Sequence, residues 1–310
     1  MREMTIVRTA ANKRPRSVAF FSLMLCLAMV TACTGRQAIV PAITPNPTGI
    51  YHVGKFVWFD LLTNDVPGTK RFYGELFNWE FEGESSNDPL YATIKKNGTP
   101  IGSVIYLKRE DEKVSESRWL SYLSVPDVDR AADHVRQGGG VVIKEPKDFP
   151  DRGRIAIVRD PQGAILALLR AKGGDPPDSD LAIGEWMWNE LWTTDVDAAI
   201  TFYKTLAGFK HETIDLPMGE TYRQLKLADR IRAGVVPIPW KDVKPNWLPY
   251  VAVSDISATL AHAKALGGKV LLEPDDTIRG DSVAVIADPS GAALAIQNLA
   301  LDKGEKGASQ

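Results

Sequence analysis

The chain has 310 residues, 44% hydrophobic and 25% charged, which accommodates two domains of ordinary size and excludes a collagen, a coiled coil or a disordered acidic tail. Its 37 Lys and Arg against 39 Asp and Glu give a formal net charge of −2, which removes the electrostatic case for a nucleic-acid partner. That charge is unevenly spread: residues 1–32 carry Arg2, Arg8, Lys13, Arg14 and Arg16 against Glu3 alone, leaving 32 cations and 38 anions in the remainder.

The basic stretch runs into 19 uncharged residues, Ser17 to Gly35, containing VAFFSLMLCLAMV. A charged n-region ahead of an apolar h-region is the layout of an export signal. Its end, Val30-Thr31-Ala32-Cys33, resembles the lipobox of bacterial lipoproteins, where small residues precede a cysteine that is lipidated and becomes the new N-terminus. Residues 1–32 are therefore expected to be a signal peptide, and Cys33 the lipidation site that ties an exported chain to the cell envelope. In a Gram-negative cell that means the outer membrane, since Thr34 is not the aspartate associated with inner-membrane retention. An uncleaved transmembrane anchor is the alternative, because roughly 20 apolar residues span a bilayer. A Cys26–Cys33 bridge would not survive removal of the signal, so the mature chain is expected to carry one cysteine and no disulfide. The next segment, TGRQAIVPAITPNPTGI, has three prolines and no clear period, so residues 33–50 are expected to form a flexible tether.

Sliding the sequence on itself exposes a duplication. At an offset of 130, Trp58 matches Trp188, Asp60 matches Glu190, Asp65 matches Asp195, and Phe72-Tyr73 matches Phe202-Tyr203. Further on the offset becomes 128, pairing Tyr122 with Tyr250, Asp127 with Asp255, Gly139-Gly140 with Gly267-Gly268, and Asp160-Pro161 with Asp288-Pro289. Two domains, 51–171 and 183–300, follow. The Gly-, Pro- and Asp-rich residues 172–182 link them, and residues 301–310 form a polar tail.

Within each copy, the pattern is strand, helix, then strands. Residues 56–63 (FVWFDLLT) are rich in β-branched and aromatic types, Asp65 offers an N-cap, and Phe72, Leu76 and Phe77 recur at helical spacing. Strands are expected at YATIKK and IGSVIYL, split by Asn97-Gly98. The second half repeats this with WLSYLSV, a helix capped by Asp127 and ended by glycine, then VVIKE, RIAIVRD and a DPQG turn into AILALLR. The chain therefore holds four modules. Phe72-Tyr73 and Phe202-Tyr203 are expected to be helix core.

The βαβββ order, the Phe-Tyr-x-x-x-Leu helix, the Gly-Gly after the second helix and the Asp-Pro-x-Gly turn resemble the vicinal oxygen chelate superfamily, which includes glyoxalase I, extradiol dioxygenases and bleomycin-resistance proteins. The tandem, four-module glyoxalase-like branch is the nearest match, over residues 54–170 and 184–299. This resemblance implies an α+β fold of two duplicated domains, each with two βαβββ modules forming a cup-shaped mixed sheet. It also implies a divalent metal in each cup, held by histidines on first strands and glutamates on last strands, acting as a Lewis acid on two substrate oxygens.

Carried over residue by residue, those ligand positions fall at Trp58 and Trp188, at or beside Leu120 and Leu248, and at Ala167 and Ala295; GSVIYL and AGVVPI add no carboxylate or imidazole. The four histidines, His52, His134, His211 and His262, show no repeated ligand spacing. No metal or other cofactor is therefore expected, unless the ligand set has moved elsewhere. Strand alternation puts Trp58, Asp60 and Leu62 on the cup side of one copy and Trp188, Glu190 and Trp192 on that of the other. Tyr122 and Tyr250 share that parity, so each cup is expected to hold a carboxylate facing a tyrosine. Arg154, at the start of a strand entering the cup, could clamp an anion or pair with Asp60 or solvent.

The leading expectation is a membrane-tethered protein that binds a small organic molecule, through Trp58, Tyr122, Arg154, Trp188, Trp192 and Tyr250, in an aromatic cup lacking the metal. One alternative is a glyoxalase-like lyase or isomerase, or a dioxygenase-type enzyme, using Asp60 or Glu190 as a base or a relocated metal. A second is a structural envelope protein whose cups are closed by tryptophan. The partners expected are the small molecule and, through Cys33, the membrane; each cup is complete within one chain, so an oligomer is not required.

Overall fold

A computed structural model describes residues 40–83, 91–107, 117–215, 221–241, 243–275 and 281–299; the export signal, Cys33 and the polar tail lie outside the described residues. The first domain runs β1 (Phe56–Thr63), α1 (Val66–Phe77), β2 (Glu80–Glu82), β3 (Tyr91–Lys96), β4 (Thr99–Tyr106), β5 (Arg118–Ser124), α2 (Val128–Gln137), β6 (Val141–Phe149), β7 (Gly153–Arg159) and β8 (Ile165–Ala171). The second repeats it: β9 (Trp186–Thr193), α3 (Val196–Ala207), β10 (Lys210–Asp215), β11 (Thr221–Leu227), β12 (Arg230–Pro237), β13 (Asn246–Val253), α4 (Ile256–Ala265), β14 (Lys269–Leu272), β15 (Val283–Ala287) and β16 (Ala293–Asn298). Each of the four helices starts at an aspartate, Asp65, Asp127, Asp195 or Asp255, whose carboxylate accepts a backbone N–H of the first turn.

Each domain is one eight-stranded mixed sheet, ordered β2-β3-β4-β1-β5-β8-β7-β6 and β10-β11-β12-β9-β13-β16-β15-β14. The first strands of the two modules, β1 and β5, pair antiparallel at the centre, and each pairs parallel with the last strand of its own module. The two sheets lie with their helical faces toward one another over a single shared core, in which Phe59, Tyr73, Trp79, Trp119, Leu191, Tyr203 and Trp247 are buried. The other face of each sheet carries its own smaller apolar cluster, so the two cups open on opposite sides of the molecule.

Polar contacts lock the domains together. The Asp160 carboxylate accepts the backbone N–H groups of Gln162, Gly163 and Ala164, shaping the Asp-Pro turn, and also accepts the Tyr203 hydroxyl from the other domain at 3.0 Å. The Trp247 indole in turn donates to Tyr203 at 2.9 Å. The pseudo-symmetric set is Trp119, Tyr73 and Asp288. The helix Phe-Tyr pair is thus core, and its tyrosine joins the two halves.

Residues 172–182 are docked rather than loose. Asp175 is buried and accepts the His52 backbone N–H and the Ser124 hydroxyl, while Asp178 meets Lys55 of one domain and Arg232 of the other. Burial opposes the Asp178 charge, but the Arg232 guanidinium and the Lys55 ammonium outweigh it and hold the carboxyl well below its usual range. With an unfolded value of about 3.9, a depressed folded value means stabilisation that is present above about pH 4 and lost as pH falls through the folded value. Asp178→Asn should therefore lower the melting temperature at neutral pH and flatten its decline between about pH 5 and 2. Thermal melts of both proteins across that range read the difference.

The expected tether also departs from a free chain. From Val40 onward it lies on the first domain: Ile43 and Thr44 are buried, and the N–H groups of Thr48 and Gly49 bond to the Gly173 carbonyl. Among the described residues, no helix is long and apolar enough to cross a membrane.

Candidate functional site

Register fixes which side chains meet in each cup. Trp58 stands opposite Tyr122, which is beside Ala167; Asp60 lies between Ser103 and Leu120. In the second domain, Trp188 is opposite Tyr250 beside Ala295, and Glu190 lies between Gly234 and Leu248. The positions that the family resemblance assigns to metal ligands therefore do converge on the cup floors, but they carry Trp58, Leu120 and Ala167, and Trp188, Leu248 and Ala295. None of these offers a ligand atom, and no group of three His, Cys, Asp or Glu suited to a metal occurs among the described residues. These side chains do not fit a chelated divalent ion.

The carboxylates are present and held. Asp60, 2% exposed, accepts the Trp58 indole N–H at 2.8 Å, the Tyr122 hydroxyl at 2.5 Å and the Ser103 hydroxyl. Glu190, 3% exposed, accepts the Trp192 indole at 3.0 Å, the Tyr222 hydroxyl at 2.6 Å and the Tyr250 hydroxyl at 2.7 Å. Burial first, then the Asp60 charge, push the Tyr122 hydroxyl well above the usual tyrosine range, so it remains a donor to that carboxylate. Three donors occupy most of the four lone-pair directions of each carboxylate, leaving little of it to take a substrate proton.

One difference between the cups lies on the strand beside the carboxylate. Gly234 stands where Ser103 does, and a Cβ there would come within 1.7 Å of the Tyr222 hydroxyl. The missing side chain is what lets Tyr222 reach Glu190; in the first cup the Ser103 hydroxyl takes that place, and the hydroxyl of Tyr91, at the start of β3, accepts from Arg152 instead.

Arg154 is a correction to the sequence expectation. It leaves the cup entirely, since Ile155 and Ile157 take the cup side of β7 and Arg154 points the other way. There it grips Asp129 of α2 with two bonds of 2.5 and 2.7 Å and meets Asp148 at 3.0 Å, which push its guanidinium further up. The arginine inside the first cup is Arg152, 1% exposed, with its guanidinium carbon 4.4 Å from the Trp58 ring centre. It sits in the turn before β7, where strand parity carries no information, and Gly153 with φ +114° makes that turn possible. The arginine followed by glycine recurs as Arg279-Gly280, outside the described residues.

The cups also differ in cover. Trp58 is fully buried, beneath residues that include Ile43 and Phe149. Trp188 is only partly buried, with Tyr222 and Tyr250 rings each 5.9 Å away. Trp192 meets the exposed Trp240 edge-on at 5.9 Å, beside an open cavity of about 330 Å³ lined by Thr193, Pro237, Ile238, Trp240 and Val243.

Comparison with known proteins agrees with this architecture. A profile of the Glyoxalase/Bleomycin resistance protein/Dioxygenase superfamily matches residues 52–168 and 187–296. CFP32 of Mycobacterium bovis, whose name places it among glyoxylases, is 33% identical over 248 residues, spanning 79% of this chain and 95% of its own. The anthracycline biosynthesis protein DnrV of Streptomyces peucetius is 31% identical over 261 residues, 79% of this chain and 94% of its own. Among solved structures, the Mn(II)-bound glyoxalase of Novosphingobium aromaticivorans superposes with a TM-score of 0.56 at 16% identity, covering 80% of this chain and 83% of that one. A homoprotocatechuate 2,3-dioxygenase variant from B. fuscum gives 0.56 at 14% identity, covering 84% and 73%. At such identities the structural likeness speaks for the fold alone.

Proposed function

The chain belongs to the Glyoxalase/Bleomycin resistance protein/Dioxygenase superfamily, and from that premise we propose that it binds a small, flat, largely apolar organic molecule in the cup of its second domain, without the superfamily's metal. The observation that carries this reading is the replacement of the ligand positions by Trp188, Leu248 and Ala295 on a cup floor walled by aromatic rings. Apolar walls with a few fixed polar groups are the usual make-up of a small-molecule site. Binding is favoured over turnover because Glu190 and Asp60 have their oxygens committed to indole and hydroxyl donors. The filled-cup reading has support in the first domain only, where the floor is sealed.

The same proposal places the protein in the cell envelope, lipidated at Cys33, on the strength of the basic and apolar leader and the small residues before that cysteine. Val40 is seven residues beyond Cys33, so the mouth of the first cup would lie within about 25 Å of the lipid and the second cup would face away.

A panel of planar aromatic compounds, titrated against the full chain while tryptophan fluorescence is followed, tests the binding reading. At least one compound should quench saturably, and Trp188→Ala should weaken that binding about tenfold or more, as loss of a central aromatic contact does. A panel without a saturating compound, or one bound equally by Trp188→Ala, would contradict it.

A further inference from the structure

The first cup contains a group that neither the family resemblance nor the ligand reading above uses. Arg152 is buried to 1% exposure, yet it makes no ion pair among the described residues. Its Nε donates to the Pro41 carbonyl at 2.6 Å, its Nη2 donates to the Tyr91 hydroxyl at 3.1 Å, and its face lies on Trp58. A guanidinium has five N–H donors in a planar fork suited to a carboxylate, and a buried cation bonded only to neutral oxygens is held at a cost. The Asp60 carboxylate in the same cup attracts the guanidinium through space but makes no direct ion pair with it, because its oxygens are taken by Trp58, Ser103 and Tyr122.

What covers Arg152 is the chain's own N-terminal segment. Val40 and Ile43 pack into the cup's apolar cluster, Thr44 is buried beside them, and Pro41 delivers its carbonyl to the guanidinium. This segment has the form of a ligand: an oxygen acceptor on the arginine and an apolar body in the cup. We propose that the first cup is a binding site for apolar carboxylates, and that residues 40–44 occupy it as a tethered surrogate that such a ligand must displace. A carboxylate would replace one bond to a neutral carbonyl with a bidentate ion pair, the stronger contact for a guanidinium. The tether supplies the surrogate at a high effective concentration, so the intact chain binds weakly and a chain with a loosened segment binds well. The site is separate from the second cup and does not depend on its ligand.

The test uses 2-naphthoate, measured by isothermal titration against the full chain and against Ile43→Asp, which places a charge where the segment is buried. Ile43→Asp should bind at least about tenfold more tightly than the parent. Adding Arg152→Met should return the affinity to the parent level. A synthetic peptide of residues 38–46 should compete the probe off Ile43→Asp, a result that general loosening of the fold would not give. Ile43→Gly serves as a second variant should the aspartate prevent folding, and far-ultraviolet circular dichroism reports folding for each. Equal affinity in parent and variant, binding unaffected by Arg152→Met, or equally tight binding of naphthylmethylammonium would overturn the proposal. So would loss of the naphthoate signal in Trp188→Ala, which would assign it to the second cup; unchanged binding in that variant keeps this site apart from the other.

Discussion

Replacing Asp160 by alanine is expected to cost about 3–5 kcal/mol of stability, among the largest effects of any single substitution in this chain. The side chain is buried and accepts four donors: the backbone N–H groups of Gln162, Gly163 and Ala164 and the hydroxyl of Tyr203. Alanine leaves the Ala164 N–H and the Tyr203 hydroxyl unpaired in a dry interior and takes the side-chain acceptor from the half-buried Gln162 and Gly163 N–H groups, and an unpaired buried donor costs about 1–3 kcal/mol before relaxation. Tyr203→Phe removes only the bond across the domains and the one from Trp247, and should cost about 1–2 kcal/mol. Urea unfolding of the two single variants and the double separates the turn from the lock. A coupling of about 1 kcal/mol or more is expected, since the residues touch; strict additivity would mean that the Tyr203 bond contributes nothing.

Asp60→Ala should be comparably severe, for a different reason. It strands the Trp58 indole, the Ser103 hydroxyl and the Tyr122 hydroxyl, and it removes the negative charge that shares the cup with the Arg152 guanidinium. A loss of about 3–5 kcal/mol is expected from urea unfolding. Asp60→Asn keeps one acceptor oxygen and should cost about half as much. These values treat Asp60 as a structural acceptor. If Asp60→Ala proved nearly neutral in stability, the carboxylate would be free for another task and the base reading would return.

Much of this architecture is legible in the sequence because the chain says everything twice. The strand expected at residues 56–63 is β1 itself, the four aspartate caps stand where the repeat puts them, and alternation along FVWFDLLT and WMWNELWT sorts cup residues from core residues. The pairing of each carboxylate with a tyrosine follows from the same parity. Where a residue's fate depends on something other than periodicity, the sequence is silent. Arg154 lies inside β7 and obeys parity, facing α2, whereas Arg152 lies in a turn and reaches the cup by a route that no alternation encodes. Tyr222 meets Glu190 only because Gly234, which stands between Gln224 and Glu190 on the strand that separates them, has no side chain, a dependence between strands visible in the sheet register alone.

The segment from Val40 shows the same limit. Three prolines and no period read as a tether, and locally that is what it is, with no helix or strand between residues 40 and 55. Its order comes from distant partners, the guanidinium of Arg152 and the carbonyl of Gly173. Such contacts leave no trace in local propensity.

We infer that these cups, with apolar and aromatic side chains where the family resemblance puts metal ligands, hold no divalent metal. Elemental mass spectrometry of the full chain, purified from cells grown with ordinary trace metals and then incubated with zinc, nickel, manganese or iron, tests it most directly. The arrangement of Trp58, Leu120, Ala167, Trp188, Leu248 and Ala295 predicts less than about a tenth of an equivalent of any of these metals per chain. One or two equivalents retained through dialysis would contradict it, and would mean that a ligand set stands elsewhere in the molecule.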